Sequence, residues 1–311
     1  MAINLHYLRV FAAVADHRGF TRAAAHLRLS QPAVSKAVRG LEREIGVPLF
    51  ERGARGIRLT DAGDALHARA RELFAVERTA EEELRALRGL EGGTLRVGAS
   101  TTIATYLLPR LLGDFRARHP AVELRVMTAN TRAVARRLLQ RRLDVALVEG
   151  PVVHPRIDVQ PWRDDELVVL AAAAHPLARQ TSVPTRALHG VPFVARERGS
   201  GTRRVAVAAL RAVGVEPEWT LTLGSTEAVK QAAAAGLGLA VVSALAAADL
   251  LALGKLRRVS VDGLTIRRTL TRLRLRDHAP SAAARAFDDL LDADASLGEA
   301  SLLDVDQPQH A

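Results

Sequence analysis

The sequence predicts two kinds of fold in one chain: an α-rich head containing a helix-turn-helix and a wing, and a larger α/β body, joined by one long helix. Three observations predict this. Thr21 to Leu41, TRAAAHLRLSQPAVSKAVRGL, reads as two short helices around a tight break. Residues 62–90 carry apolar side chains seven apart on an otherwise charged helix. From Thr94 onward short apolar runs alternate with helical ones, which is how a parallel sheet covered by helices is written. The expected boundaries are 1–60 for the head, 61–91 for the joining helix, 94–291 for the body and 292–311 for a disordered acidic tail.

In the head, Asn4 can cap a first helix from Leu5 to about Asp16, with Leu8, Phe11, Ala12 and Ala15 on its buried side. Thr21 is placed to cap the second, and Ser30 the third, with Pro32 in a first turn where a missing N–H costs nothing. Ala33, Val34, Ala37, Val38 and Leu41 then form an apolar stripe, leaving Gln31, Ser35, Lys36 and Arg39 on the opposite face. Such a face can enter a major groove. Glu51 to Leu59 reads as two short strands around a Gly-rich turn, a wing whose Arg55 can reach an adjacent minor groove. Residues 1–60 hold ten Lys/Arg against four Asp/Glu, so this segment supplies +6 of the chain's net +10. That surface suits a polyanion.

Thr60 or Asp61 caps the long helix, and Leu66, Leu73, Ala80 and Leu87, flanked by Ala70 and Leu84, predict a coiled-coil seam that Glu77 interrupts. In the body, strands are expected near Leu95–Val97, Val122–Met127, Val145–Val148, Glu166–Ala172, Pro192–Ala195, Leu221–Leu223, Gly238–Ser243 and Thr265–Leu275. Helices are expected at Ile103–Arg118, Thr131–Leu139, 202–213, Ser225–Ala235 and Ser281–Leu291. Residues 292–311 hold five acidic and no basic residues, the composition of a solvated tail.

Three strand-to-helix junctions in the body carry hydroxyls: Ser100-Thr101-Thr102, Ser200-Gly201-Thr202 and Ser225-Thr226. Ligands of open α/β sheets bind beyond the carboxyl ends of strands, and free N–H groups with the helix dipole favour an anion there. Any single junction is adequately explained by N-capping; three at comparable strand ends argue for a site.

Composition narrows the alternatives. Hydrophobic residues make up 48% and charged residues 25%, a globular balance. With no cysteine there is no disulfide, thiol catalysis or Cys-based zinc site, in keeping with a reducing compartment. No signal peptide and no apolar run of membrane-spanning length is visible, so a cytoplasmic location is expected. The histidines form no H-x-x-x-H or H-E-x-x-H pair, and neither a G-x-S-x-G elbow nor a P-loop occurs, so no enzyme, catalytic residue, metal or cofactor is expected. Arg outnumbers Lys 41 to 3, so no single surface arginine carries much weight.

LHYLRVFAAVADHRGFTRAAAHLRLSQPAVSKAVRGLEREIGVPLFER followed by IRLTDAGDAL resembles the DNA-binding domain of the LysR-type transcriptional regulators. The resemblance implies a winged helix-turn-helix, a linker helix that pairs two chains, and a two-lobed, periplasmic-binding-protein-like α/β effector domain. Lobe 1 would comprise 94–161 and 267–291, and lobe 2 162–266, with crossings near Pro161 and Ile266. It implies sequence-specific promoter binding by a dimer or tetramer, with RNA polymerase as a further partner. Gln31 and Ser35 would read base edges, Lys36 and Arg39 bases or phosphates, and Arg22 and Arg55 the backbone or minor groove; Ser30 and Pro32 complete the set. A small effector would lie between the lobes at the positions of Ser100, Thr102, Thr131, Glu149 and Thr202, with Thr101, Ser200, Gly201, Arg203 and Thr226 beside them. Glu149 suits an anion only if Arg203 or another base offsets it. GASTTIATYLLPRLL and FVARERGSGTR resemble the branch that regulates sulfur assimilation and carbon fixation, which points to an inorganic sulfur anion or a phosphorylated or carboxylated metabolite. The alternative is a solute-binding protein without DNA regulation, against which the basic winged head counts.

Overall fold

The computed structural model describes residues 3–53, 56–87 and 92–303, which fall into two compact units, 1–84 and 85–311. In the first unit, helices α1 (Leu5–His17), α2 (Phe20–Leu27) and α3 (Gln31–Ile45) are followed by the strands β1 (Phe50–Gly53) and β2 (Gly56–Leu59) and by helix α4 (Asp61–Leu87). Local chemistry sets these ends. Asn4 accepts from the amides of His6 and Tyr7, and Ser30 from that of Ala33, each satisfying N–H groups that a helix start leaves open. Thr21 does not cap α2: the helix starts one residue earlier, at Phe20, after Gly19, and has no side-chain cap. The antiparallel pair β1–β2 has Phe50 opposite Leu59 and Arg52 opposite Ile57. Thr60 donates to the carbonyl of Pro48 at 2.8 Å and accepts from the amide of Gly63 at 3.0 Å, tying the start of α4 to the wing. A Cβ on Gly63 would lie 2.1 Å from the carbonyl oxygen of Leu49, so only glycine fits there.

The core of this unit gathers Leu8, Phe11, Val14, Val34, Leu41 and Leu49, and α4 adds Ala70 and Phe74. This revises the expected seam. Ala70 is fully buried and Leu66 packs on the same core, whereas Leu73, Val76, Ala80 and Leu84 are exposed along one stripe. Glu77, which breaks the heptad, takes two hydrogen bonds from Arg9 of α1 at 2.6 Å. Asp16 likewise meets His67 at 3.1 Å and Arg71 at 2.9 Å. The first half of α4 is therefore packed into the head, and the apolar stripe runs along the other face of the helix.

The second unit continues with β3 (Gly93–Ser100), α5 (Thr101–Tyr106), α6 (Leu108–Arg118), β4 (Val122–Ala129), α7 (Thr131–Leu139), β5 (Val145–Glu149) and β6 (Ile157–Ala172). Then come β7 (Pro192–Arg196), α8 (Gly201–Ala212), β8 (Glu218–Leu223), α9 (Thr226–Ala234), β9 (Leu239–Ser243), α10 (Ala244–Ala252), β10 (Leu256–Arg258), β11 (Ile266–Leu275) and α11 (Ala282–Leu303). The single helix expected over 103–118 is broken at Leu107. Pro109 has no N–H to continue the ladder, and the chain restarts as α6.

The sheet order is β4-β3-β5-β11-β6-β9-β7-β8, with β10 on β6. β3, β4 and β5 are parallel, as are β7, β8 and β9, so each group needs helical crossovers and is covered on both faces. The two groups are bridged by the long antiparallel pair β6–β11, whose register shifts beside Pro161. Trp162 and Leu270 belong to the core under β3 and β5, while Leu167 and Ile266 belong to the core under β7 and β9. The chain thus changes halves within these two strands, between Trp162 and Leu167 and between Ile266 and Leu270.

The expected disordered tail is corrected over its first part. α11 does not stop at Leu291 but runs to Leu303, because Asp294, 4% exposed, is bonded by Arg110 and lies 3.6 Å from Arg163, and Ala295 packs on the core. The rest of the tail, 304–311, lies outside the described residues.

Candidate DNA-binding face and effector cleft

On the head, the face of α3 opposite its apolar stripe carries the predicted residues. Gln31, Lys36 and Arg39 are exposed, and Gln31 Nε2 donates to Ser35 Oγ at 3.2 Å, so one turn presents an amide and a hydroxyl together. Ser30 and Pro32 sit at the helix start, where Ser30 is occupied as the cap. Arg22 is exposed, and its guanidinium donates to the carbonyl of Arg18 at 3.0 Å. Arg18, Arg22 and Arg58 line, together with Val14, Phe50, Ile57 and one carboxylate, Asp64, a basin of about 600 Å³. Arg55 lies outside the described residues.

In the body, β3, β5 and β7 end at Ser100, Glu149 and Arg196, and their tips meet the starts of α5, α7 and α8. Ser100, Thr102, Thr131, Glu149, Ser200, Gly201, Thr202 and Thr226 are all buried. Thr131 Oγ1 donates to the carbonyl of Glu149 at 2.8 Å. Gly201 is required by contact: a Cβ there would lie 1.7 Å from that same carbonyl oxygen. Ser200 and Ser225 cap α8 and α9 through the amides of Arg203 and Ala228. Capping therefore does account for part of the hydroxyl pattern.

Two arginines that sequence reasoning left out organise this region. Arg196, 2% exposed, donates through Nη1 to Thr101 Oγ1 at 2.7 Å and Thr226 Oγ1 at 2.8 Å, thereby joining the two halves of the body. Thr102 Oγ1 lies 3.1 Å from the same Thr226 hydroxyl. The other side of the guanidinium holds Glu197 through Nε and Nη2, and Asn130 adds a third donor. Burial works against the charge of Glu197, but these donors outweigh it and hold its carboxyl below the usual range. Arg268, 6% exposed, donates to Thr202 Oγ1 at 2.9 Å and lies 3.8 Å from Glu149, while its other side pairs with Asp165 at 2.6 Å. Arg268 is thus the base beside Glu149. Arg203 faces elsewhere, donating to the carbonyl of Arg196 at 2.8 Å and stacking over Trp219. The only sequence cue for Arg196 was its place at the end of the apolar run FVAR; Arg268 had none.

Below Thr226 on α9, Lys230 is fully buried. Its ammonium donates to Tyr106 of α5 at 3.0 Å, to the carbonyl of Ala246 at 2.6 Å and to Asp249 at 2.7 Å. Burial would lower its pKa, yet Asp249, Tyr106 and Glu227 raise it, so it stays charged. Tyr106 donates in turn to Glu227 at 2.8 Å. This cluster is a second tie between the halves. No group of acidic and histidine side chains fit to hold a metal occurs among the described residues, and no described helix is long and apolar enough to cross a membrane.

Residues 5–64 match the bacterial regulatory helix-turn-helix protein family, lysR type, and residues 88–296 match the LysR substrate binding domain. The RuBisCO operon transcriptional regulator of Acidithiobacillus ferrooxidans is 37% identical over 95% of this chain and 96% of its own length. That of Allochromatium vinosum is 37% identical over 92% and 95%. Among solved structures, the regulatory domain of Synechocystis CcmR in complex with 2-PG is 33% identical, covers 65% of this chain and 97% of that one, and has a TM-score of 0.61. Full-length OxyR from Pseudomonas aeruginosa, as a cysteine variant, is 25% identical over 96% of both chains, with a TM-score of 0.73. Full-length CbnR with its target DNA, 21% identical over 93% of this chain and 99% of that one, shares the fold at a TM-score of 0.66. The chain belongs to the LysR family of transcriptional regulators, which are not enzymes.

Proposed function

We propose that this regulator binds promoter DNA through α3 and the wing of the head, and that a small anionic effector, bound between the halves of the body, switches it. The observation that carries the second part is Arg196. A guanidinium that is buried and already dehydrated holds hydroxyls from both halves, so an anion that exchanges with Thr101 or Thr226 changes what ties the halves together. An effector acts through such a difference in affinity for two arrangements. The CcmR domain, which binds 2-PG, and the RuBisCO regulators favour a phosphorylated or carboxylated metabolite over an inorganic sulfur anion.

On the DNA side, Gln31 and Ser35 contact base edges, Lys36 and Arg39 bases or phosphates, and the basin of Arg18, Arg22 and Arg58 a phosphate of the backbone. Two heads are brought together by the exposed stripe Leu73, Val76, Ala80 and Leu84, which a lone helix would leave in water. The protein works in the cytoplasm, where its promoter and RNA polymerase are.

The test is a thermal-shift titration of the full chain with 2-phosphoglycolate, 3-phosphoglycerate, phosphate and sulfate. A ligand binding only the folded state adds about 2.7 kcal/mol at a hundred times its dissociation constant. A shift that disappears in Arg196→Gln and Thr102→Ala supports the cleft. A shift that survives in both variants, or no shift with any anion, overturns it.

A further inference from the structure

From the acidic side of the cleft we infer the kind of anion: one whose oxygen can take up a proton near neutral pH at little cost, as a phosphoryl group can and a sulfate cannot. This rests on the cleft reading above and adds a selectivity to it. Glu149 is 1% exposed. Its Oε1 accepts from Thr202 at 3.2 Å, but Oε2, equally dehydrated, has no hydrogen-bond partner among the described residues. Arg268 does not complete it. That guanidinium lies 3.8 Å from Oε1 and is shared with Asp165, which also accepts from Ser243 at 2.6 Å, so two carboxylates divide one cation. Ser100 Oγ, 1% exposed at the neighbouring strand tip, also has no partner.

A buried acceptor without a donor costs roughly 1–3 kcal/mol, more if charged, and in a native structure it calls for an explanation. Here the carboxylate stands at the start of α8, where Ser200 takes the amide of Arg203 and the other first-turn N–H groups have no intrahelical acceptor. The site therefore offers donors together with one acceptor. A fully deprotonated oxyanion would set an oxygen against Glu149 Oε2. A phosphate group, whose second pKa is about 6 for its esters, can supply an O–H to that atom while its other oxygens take the N–H groups and the Ser100 hydroxyl. Sulfate has the same tetrahedral shape and no proton to give.

The experiment compares inorganic phosphate with sulfate at matched ionic strength and pH 7, read as thermal shift of the full chain. 2-phosphoglycolate and the sulfate ester of glycolate serve as a second matched pair in case the inorganic ions bind weakly. Phosphate is expected to act at concentrations at least about tenfold lower than sulfate, since a missing hydrogen bond to a buried charged group is worth that much or more. In Glu149→Gln the side-chain amide can donate to either anion, so the preference is expected to shrink to within about threefold. Equal binding of the two anions by the unaltered chain, or an undiminished preference in Glu149→Gln, overturns the inference. If binding is lost in Arg196→Gln yet shows no preference, only the selectivity fails; if no anion in either pair binds, the cleft reading fails with it.

Discussion

The face of α3 proposed to meet DNA and the proposed effector cleft hold their polar side chains in opposite ways. On α3, Gln31, Lys36 and Arg39 stand in solvent. In the body, Arg196, Arg268 and Lys230 are almost wholly buried and tied to partners from several elements. The difference follows from the size and charge of what each meets. DNA brings a dense row of phosphates, so flexible cations at its surface gain enough from releasing counterions without being fixed beforehand. A small effector cannot repay the dehydration of a guanidinium. In the proposed reading that cost is met on folding, by the hydroxyls and carboxylates that hold the group.

If that contrast holds, the largest effect on stability comes from the cleft. Arg268→Met leaves Glu149 and Asp165 buried beside each other's network without their shared cation. Breaking a buried pair in this way costs about 3–5 kcal/mol. Urea denaturation of the full chain should show that loss. A change below about 1 kcal/mol would mean that the network is far wetter than its burial indicates.

Lys36→Ala tests the other side. Its side chain is exposed and no described group pairs with it, so the free energy of unfolding should change by less than about 0.5 kcal/mol. DNA binding should weaken across all sequences alike, with the slope of log K against log salt falling by about 1 if the contact is to a phosphate. A loss confined to one base position would instead assign Lys36 to base readout.

The same contrast explains what could be read from the sequence. Much of the head was legible because its signals are local: Asn4 and Ser30 as caps, the stripe from Val34 to Leu41 (though Ala33, counted with it, is exposed), and the paired strands of the wing. The hydroxyl junctions of the body were legible for the same reason. Thr21 misled because a Thr near a helix start is only one of several ways to begin a helix, and here Gly19 precedes a start with no side-chain cap. Arg196, Arg268 and Lys230 were not legible. Among 41 arginines nothing local marks the two that are buried, and the partners of Arg268 lie on β5, β6 and α8. The helical part of the tail was hidden likewise, since Asp294 looks like a solvated charge until Arg110 and Arg163 are brought against it. Leu66 and Ala70 were assigned to a seam, and Glu77 was read only as its interruption, because periodicity cannot say which neighbour covers a helix face.

A last substitution sharpens the comparison within the body itself. Tyr106→Phe removes the hydroxyl that accepts from Lys230 and donates to Glu227, while the ammonium keeps Ala246, Asp249 and Glu227. Loss of about 1 kcal/mol at neutral pH is expected, as for one net hydrogen bond. Its pH dependence follows from Glu227. Burial raises the pKa of that carboxyl, but Gln231, Tyr106 and Lys230 together lower it below the usual value. A carboxyl depressed on folding adds stability above its unfolded pKa, near 4, and loses it as the pH falls through the folded value. The part of the Tyr106→Phe difference that runs through ionised Glu227 should therefore be largest near neutral pH and narrow below about pH 4. Thermal unfolding of both chains from pH 7 to pH 3 measures it. A gap that stays constant over that range would assign the whole effect to the Lys230 bond, and a gap that widens in acid would contradict the tie through Glu227.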